Sequence, residues 1–427
     1  MPKRLSYLWQ DIVSFDNLLL AYRKARRGKQ HKDAVALFSL NLETELLTLQ
    51  QQLIDGSYCP SPYRLFTIYE RKPRLIAAAP FRDRVVHHAL LNIVEPLMDK
   101  RFIDDSYACR KNKGVHKAVD RYQTWAKRYH YALKMDIRQY FPSIDHELLK
   151  QKLAHHIKDP QVLNLFALII DTSPVTDTPP VWFAGDDLTT PFERTKGLPI
   201  GNLTSQFLAN LYLDGFDHFV KEQLRIKAYF RYVDDFIVLS DDKIELTAIK
   251  KHIQQQLAKD RLSLHPNKVH IAPTRLGLDV LGYRVYPDKR LLRNDNGHRF
   301  ARKLRFFAKS YANHTMDWQD FNPSVQSWIG HAIHADTKGL RCKIFSSTVF
   351  QRGICQDAAC GSWNNKPNNL RSANRNNNTS NNRNNNLGFR LSSLPATLRI
   401  VLFMDKTSVV VGIHEQISLL AREGKAK

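Results

Sequence analysis

Residues 230–239 read Phe-Arg-Tyr-Val-Asp-Asp-Phe-Ile-Val-Leu, two strongly apolar segments on either side of adjacent aspartates. The aromatic and β-branched residues predict two strands joined by a tight turn, with both carboxylates at the tip of a hairpin. The simpler interpretation is an ordinary turn, in which aspartate is common. Adjacent like charges beside apolar flanks are costly, however, and a divalent cation would remove that cost. The pattern therefore indicates a metal site at Asp234 and Asp235.

A third carboxylate fits the same site. Residues 131–136 read Tyr-Ala-Leu-Lys-Met-Asp, a short strand that ends in Asp136. Two hard cations about 3.5–4 Å apart, held by such carboxylates, would activate a 3′-hydroxyl and stabilise a pyrophosphate leaving group. We expect Asp136, Asp234 and Asp235 to be catalytic and to bind two Mg²⁺ ions, with Mn²⁺ as the alternative metal.

A glycine-rich segment at 196–206 reads Lys-Gly-Leu-Pro-Ile-Gly-Asn-Leu-Thr-Ser-Gln and opens a long apolar stretch. Its glycines allow close backbone approach, and the start of a helix offers free N–H groups to a polyanion. Helices that begin near Gly and Pro are common, so this segment alone is weak evidence of function.

Composition limits the class of protein. The 427 residues are 43% hydrophobic and 25% charged, which excludes disorder over most of the chain and predicts two to three domains. No apolar run approaches the length of a membrane span. The five cysteines are scattered without a CxxC pair, which argues against a disulfide framework or structural zinc and favours a reducing cytoplasm. The net charge of +23 favours a nucleic-acid partner over a merely soluble or ribosome-associated basic protein.

Strands and helices alternate in the middle of the chain without a regular repeat. This pattern predicts an α+β fold in which helices cover an antiparallel sheet. The strand candidates are Tyr131–Asp136, Ala228–Tyr232, Phe236–Ser240, Val269–Ala272 and Val280–Tyr286, and the main helix candidates are Arg82–Met98, Ile144–Ile157, Gln161–Asp171, Leu203–Gln223 and Ile244–Asp260.

The order and spacing of Asp136, the segment at 197–206 and Tyr-Val-Asp-Asp at 232–235 resemble the palm of reverse transcriptases. The resemblance covers about residues 50–345. It implies a right-hand polymerase with fingers, a palm of antiparallel sheet with helices on one face, and a helical basic thumb. It also implies an RNA-directed DNA polymerase, a nucleotidyltransferase that uses template RNA, a DNA or RNA primer and deoxynucleotides.

These patterns divide the chain into five parts. We expect an N-terminal helical extension at 1–45, fingers and palm at 46–286, a thumb at 287–345, an asparagine-rich segment at 346–391 and a C-terminal tail at 392–427.

The resemblance also implies substrate contacts. Arg74 and Arg84 would contact triphosphate or template, and Lys268 would donate a proton to pyrophosphate, although ordinary surface ion pairs explain such residues equally well. The Phe141 ring would lie under the incoming sugar and exclude a 2′-hydroxyl. The full expected substrate set is Arg74, Arg84, Phe141, Gly197, Pro199, Ile200, Gly201, Gln206, Tyr232 and Lys268.

One departure points to a subgroup. Most reverse transcriptases carry Gln where this sequence has Ile200, and Ser-Pro where it has Ser205-Gln206. The form Ile-Gly-Asn-Leu-Thr-Ser-Gln resembles the enzymes of diversity-generating retroelements, which miscopy adenines of a template repeat. Isoleucine offers no hydrogen bond beside the template base, so base selection would loosen; the alternative is neutral drift.

The asparagine-rich segment fits the same subgroup. Residues 361–365, 370–375 and 387–391 resemble the C-terminal end of formylglycine-enzyme-like C-type lectin domains, which such retroelements diversify. The segment is too short to close a lectin core, so we interpret it as a translated template repeat. The alternative is a low-complexity tail that binds RNA.

Other functions stay open at this point. A group II intron or retron-type reverse transcriptase is the second interpretation, and a non-catalytic RNA-binding protein is the alternative of another class. The subgroup resemblance also implies a small basic accessory protein as partner; no membrane partner is expected.

Overall fold

A computed structural model describes residues 3–69, 73–174, 178–352, 399–404 and 409–413. The chain divides into two compact units, Met1–Leu281 with Val285–Asp288, and Gly282–Arg284 with Lys289–Lys427. The asparagine-rich stretch at 364–386 lies outside the described residues.

The N-terminal region is helical, as its three- and four-residue spacing of apolar side chains predicts. The rings of Tyr22, Phe38 and Phe81 pack with centroids 5.2–6.1 Å apart and tie three of the helices together. The predicted boundary at residue 45 falls inside the fourth helix. These elements are α1 (Trp9–Val13), α2 (Phe15–Arg26), α3 (Asp33–Leu40), α4 (Leu42–Ile54) and, after a hairpin, α5 (Phe81–Asp99).

An antiparallel hairpin precedes α5. Strands β1 (Arg64–Tyr69) and β2 (Pro73–Ala78) pair with Phe66 opposite Ile76. Both strands are largely exposed until β2 reaches Ala77. Helix α6 (Val115–Ala126) follows α5 in the chain.

The central sheet carries the predicted motifs. Its strands are β3 (Tyr131–Asp136), β4 (Tyr229–Tyr232), β5 (Asp235–Ser240) and β6 (His270–Pro273), in the order β4-β5-β3-β6. All three pairings are antiparallel, and each strand lies within one residue of its predicted range. The predicted α+β class with an antiparallel sheet is confirmed.

Helices cover this sheet. Three of them begin at aspartates whose side chains accept a hydrogen bond from the first turn, namely Asp145, Asp159 and Asp242. The Phe230 ring of β4 lies 6.3 Å from the Trp125 ring of α6. The remaining helices of this unit are α7 (Tyr140–Ser143), α8 (His146–His156), α9 (Pro160–Asp171), α10 (Thr190–Glu193), α11 (Leu203–Tyr212), α12 (Asp214–His218) and α13 (Lys243–Lys259).

Two predicted elements are interrupted. The helix predicted over Leu203–Gln223 breaks at Leu213 and ends in a π-turn at Phe219–Gln223, and Asp217 between the two interruptions bonds Arg231 on β4. The strand predicted over Val280–Tyr286 splits into β7 (Leu278–Val280) and β8 (Tyr283–Val285). Leu281 and Gly282 between them have positive φ angles of 47° and 95°, which an extended strand cannot contain.

The second unit is built on aromatic packing. The Phe300 ring of α14 stacks on the Trp328 ring of α15 at 3.9 Å, and the Phe307 and Phe321 rings stack at 5.2 Å. The C-terminal elements are β9 (Arg290–Leu292), α14 (Asn294–Ala312), α15 (Trp318–Ala332), α16 (Lys338–Ser346), β10 (Phe350–Gln351), β11 (Arg399–Met404) and β12 (Val409–Ile413). Among the described helices, none combines the length and apolar character that crossing a membrane requires.

Candidate active site

The Val-Asp turn joins two strands of the sheet. Tyr232 at the end of β4 pairs with Asp235 at the start of β5, so only Val233 and Asp234 form the turn. Val233 has φ 58°, a left-handed conformation that β-branched residues rarely adopt. The Arg231 guanidinium donates a hydrogen bond of 3.0 Å to the Val233 carbonyl and so holds this conformation. The turn that carries Asp234 is therefore a constrained feature of the sheet.

The register of the sheet brings the third aspartate to this turn. Asp136 is the cross-strand partner of Asp235 in the β3–β5 pairing. The Ile137 amide also donates to the Asp234 carbonyl at 3.1 Å. The three predicted aspartates therefore meet at one end of the sheet.

The site concentrates negative charge in a partly buried place. Burial, followed by the neighbouring Asp136 and Asp235 carboxylates, raises the pKa of Asp234 to about 6. Burial also raises the pKa of Asp235, although the Lys134 ammonium opposes that shift. Carboxylates in this arrangement favour an added cation.

Two lysines supply part of the countercharge. Lys268 Nζ lies 2.8 Å and 2.9 Å from the two carboxylate oxygens of Asp136, and its side chain is 50% exposed. Lys134 Nζ lies 3.0 Å from Asp235 Oδ2 and also donates to the Asp279 carbonyl. Lys134 is held between two partners, whereas the Lys268 side chain is half exposed to solvent and pairs only with Asp136 among the described residues.

The glycine-rich segment contacts the backbone that follows Asp136. The Leu198 amide donates to the Phe141 carbonyl at 2.9 Å, and the Gly197 amide donates to the Ile144 carbonyl at 2.8 Å. His146 holds the Gly197 carbonyl at 2.7 Å. Phe141 and Gly197 are thereby fixed relative to each other.

The same segment also contacts the exposed hairpin. The Ala77 amide donates to the Ile200 carbonyl at 3.1 Å. Gly201 has φ 117°, and a Cβ there would lie 2.9 Å from Ile76 Cγ2, so a side chain would both strain the backbone and clash. Asn202 is buried and bridges to the Ala77 carbonyl and the Ala79 amide. Ile200 and Gly201 are thus positioned by β2.

Three of the other predicted substrate residues are not bonded to the aspartates among the described residues. Arg74 is exposed on β2, and Gln206 is exposed on α11. The Arg84 side chain donates to the Ala79 carbonyl at 2.7 Å, and burial lowers its pKa. Within the described chain, no hydrogen bond or ion pair joins these three to the aspartates. Pro199 is buried, and Tyr232 is half-buried at the end of β4.

Comparison with known proteins decides the family. The profile of the family described as "Reverse transcriptase (RNA-dependent DNA polymerase)" matches residues 68–285, just over half of the chain. This chain belongs to the reverse transcriptase family. The matched region runs from β1 to β8 and contains all three aspartates, so the predicted polymerase fold and the class of RNA-directed DNA polymerase are confirmed.

Individual relatives are similar over different lengths. Protein YkfC of Escherichia coli (strain K12) is 24% identical over 289 residues, which are 58% of this chain and 73% of YkfC. Group II intron-encoded protein LtrA of Lactococcus lactis subsp. cremoris is 27% identical over 189 residues, 43% of this chain and 29% of LtrA. This chain therefore covers less than a third of the length of LtrA.

Sequence reasoning missed three residues of this reverse transcriptase site. Lys134, Arg231 and Asn202 were assigned no role, yet each is bonded to a site residue or to the backbone that carries one. A signal existed for the first two, because a charged residue inside a strongly apolar strand needs a buried partner. Asn202 gave no signal, since Asn before a helix reads as an ordinary cap.

The aspartates fit the divalent cations that reverse transcriptases use, provided that substrate supplies further ligands. In the described part of the chain, no three His, Cys, Asp or Glu side chains form a complete metal-ligand cluster. Mg²⁺ commonly binds one or two carboxylates, waters and substrate phosphates rather than an all-protein cage. Asp235 Oδ1 is buried without a hydrogen-bond partner among the described residues, which is a ligand atom that such a cation would satisfy.

Proposed function

We propose that this reverse transcriptase adds deoxynucleotides to a primer 3′-hydroxyl at Asp136, Asp234 and Asp235, copying an RNA template. The observation that carries the proposal is the register that sets Asp136 opposite Asp235, with Asp234 on the adjoining turn. The raised pKa of Asp234 supports it, because clustered carboxylates of this kind are typical of sites that take cations.

Asp136, Asp234 and Asp235 would hold two Mg²⁺ ions, with Mn²⁺ able to replace them. Bound there, the ions would supply Lewis-acid activation of the 3′-hydroxyl and neutralise charge on the phosphoryl oxygens. The protein's own part is to fix the carboxylates through the sheet register and to keep Lys134 against Asp235.

Lys268 would be the proton donor to the leaving pyrophosphate. Its ammonium is half-exposed and already held at an anionic group of the site. An ammonium that can move from Asp136 to a developing phosphate charge is suited to general-acid catalysis.

Isosteric variants test the active site. Asp136→Asn and Asp234→Asn should reduce primer extension on RNA to background, because each removes a ligand charge while keeping the side-chain volume. Asp235→Asn should retain more activity if Asp235 only adjusts the second metal. The control is Asp241→Asn, an exposed aspartate paired with His130 beyond the end of β5. Near-normal extension by Asp136→Asn or Asp234→Asn would contradict the assignment, and RNA binding without extension by the native protein would favour the non-catalytic alternative.

The biological role that we propose is error-prone copying of a template repeat in a diversity-generating retroelement, with a small basic accessory protein as partner. The Ile-Gly-Asn-Leu-Thr-Ser-Gln segment and the asparagine-rich segment support it. The second candidate is a group II intron or retron-type enzyme, and the similarity to a group II intron-encoded protein favours it. The flanking DNA separates them: a near-copy of the segment encoding residues 350–391, differing mainly at adenines, supports the first, and intron boundaries support the second.

A further inference from the structure

Four basic side chains surround a small cavity outside the residues assigned to catalysis or substrate. The cavity measures about 40 Å³ and is lined by residues from the α7 region, the segment 178–196 and the segment 261–263. Its basic residues are Arg138, Arg194, Lys196 and Arg261. Such a concentration of one charge in a confined space is costly unless anions balance it.

Only two of the four have carboxylate partners among the described residues. Arg261 Nη1 lies 2.5 Å from Asp145 Oδ2, and Arg194 pairs with Asp186. Both aspartates are largely buried, so these pairs are part of the local structure.

The other two, Arg138 and Lys196, have neither a carboxylate nor a hydrogen-bond partner for their side chains in the described chain. Burial and the nearby Arg194 guanidinium lower the pKa of Lys196, which is the direction that an excess of positive charge produces. Two cations without a carboxylate partner, the exposed Arg138 and the partly buried Lys196, therefore line the cavity.

Unused hydrogen-bond donors mark the same cavity. The Arg194 side chain is only 9% exposed, and its Nε lies 4.0 Å from Asp145 Oδ2, too far for a hydrogen bond. This Nε and the hydroxyl of Thr178, which also lines the cavity, are buried without partners among the described residues. Buried donors are nearly always satisfied in folded proteins, so their orphan state points to a missing acceptor.

We propose that this cavity binds a phosphate-type oxyanion. A guanidinium and an ammonium provide charge-assisted donors to phosphate oxygens, and the orphan donors at Arg194 and Thr178 satisfy further oxygens. The enclosed part of the cavity has room for only a few water-sized groups, which suits one phosphate. The phosphate could belong to a nucleic-acid strand or be free in solution; both present the same oxygens.

The test removes the two unpaired cations and leaves both ion pairs intact. The variant is Arg138→Gln with Lys196→Gln. The matched control is Lys250→Gln with Lys251→Gln on α13, which removes the same charge from two side chains that form no ion pair among the described residues. Thermal melting of the three full-length proteins checks that they fold alike.

Binding is measured with two probes. Binding of inorganic phosphate is followed by ³¹P NMR. Binding of one oligodeoxynucleotide, prepared with either a 5′-phosphate or a 5′-hydroxyl, is followed by fluorescence anisotropy. Loss of two charge-assisted hydrogen bonds should weaken binding of the relevant probe about tenfold or more. The control variant should bind both probes with affinities within about twofold of those of the native protein.

Each outcome decides the proposal. Saturable phosphate binding that the cavity variant loses supports a site for free oxyanion. If phosphate binding is unchanged but the cavity variant loses more oligonucleotide affinity than the control, the site binds a phosphate of a nucleic-acid strand. That phosphate is the terminal one if only the 5′-phosphorylated oligonucleotide is affected. If neither probe distinguishes the cavity variant from the control, or if the native protein binds neither, the proposal is wrong.

Discussion

The Arg231 guanidinium and the Asp217 carboxylate form an ion pair of 2.6 Å in which each side chain is only 1% exposed. Tyr229 donates its hydroxyl to Asp217 at 2.5 Å, and Arg231 also donates to Asn210 and to the Val233 carbonyl. The desolvation cost of such a pair is offset only when the remaining donors and acceptors are bonded, as they are here. This network lies directly under the turn that carries Asp234.

Breaking the pair on one side should be costly. We expect Asp217→Leu to lower the free energy of unfolding by about 3–5 kcal/mol, because it leaves a buried guanidinium without its counter-charge. The double variant Arg231→Met with Asp217→Leu should recover at least half of that loss, since no charge is left buried. Urea unfolding of Asp217→Leu, of Arg231→Met and of the double variant gives the coupling energy between the two side chains. Strictly additive losses of stability would contradict such a coupling.

Recovered stability should not restore activity. The double variant lacks the hydrogen bond from Arg231 to the Val233 carbonyl, so the left-handed turn loses its support. Primer extension by this variant should stay below the native rate at temperatures where it is fully folded. Full activity would mean that the pair contributes only to stability.

Phe141 is expected to select the sugar. Its ring is half-buried beside Tyr140, with centroids 5.7 Å apart, and its carbonyl is held by Leu198. Phe141→Ala should raise ribonucleotide incorporation relative to deoxynucleotide by at least about tenfold, because steric exclusion of the 2′-hydroxyl is lost. Phe141→Tyr keeps the ring and should keep the selectivity. An unchanged ratio in Phe141→Ala would make Phe141 a packing residue only.

Ile200 is expected to loosen base selection. Its backbone carbonyl is bonded to the Ala77 amide, so a change of side chain leaves the main-chain link in place. Ile200→Gln should reduce misincorporation opposite adenine more than opposite other bases, by an amount corresponding to about 1–3 kcal/mol of discrimination. Sequencing cDNA from a defined template measures the ratio, with Ile200→Leu as the apolar control. If Ile200→Gln makes as many errors at adenine as the native enzyme, Ile200 has no role in base selection. If the native enzyme, supplied with the accessory protein, copies adenine as faithfully as cytosine, the diversity-generating role is wrong.

His87 should make stability depend on pH. Burial, with smaller effects of His88 and Arg84, lowers the pKa of His87 to about 4, and its side chain is almost fully buried. Between pH 6.5 and 4 the unfolded chain binds a proton that the folded protein does not, so stability falls as pH falls through this window. The loss from this one group is up to about 3 kcal/mol. Urea unfolding at pH 7.5, 6 and 5 should show a shallower decline for His87→Gln; an identical decline would contradict the assignment.

Local patterns were sufficient for the strands of the central sheet and for the three aspartates. Alternating or continuous apolar residues determine which segments are extended, and the two-residue turn between β4 and β5 determines their pairing. Once Asp136 stands at the end of its strand, the antiparallel register that places the buried Met135 opposite the buried Phe236 sets it beside Asp235.

The break in the helix predicted over Leu203–Gln223 could not be read in the same way. Its apolar spacing is helical throughout, yet the chain leaves the helix at Leu213, shortly before Asp217, whose buried carboxylate pairs with Arg231 on β4. A buried charge outweighs local helix propensity, because an unpaired one costs several kcal/mol (about 3–5) whereas propensity differences amount to about 0.7 kcal/mol per residue or less.

The sequence by itself thus determined the strands, the turn and the adjacent Asp234 and Asp235, since these depend on neighbours along the chain. The register that brings Asp136 to them joins strands far apart in the sequence. Only the tertiary structure decided which cations pair with the aspartates: Lys134 was not expected there, and Lys268, which the resemblance placed at the site, lies against Asp136. Lys268 lies 132 residues from Asp136, and the cavity of Arg138, Arg194, Lys196 and Arg261 is assembled from three separate segments. Long side chains have many rotamers, so the partner that each one contacts depends on tertiary packing and on nearby charge. Spacing along the chain does not determine that partner.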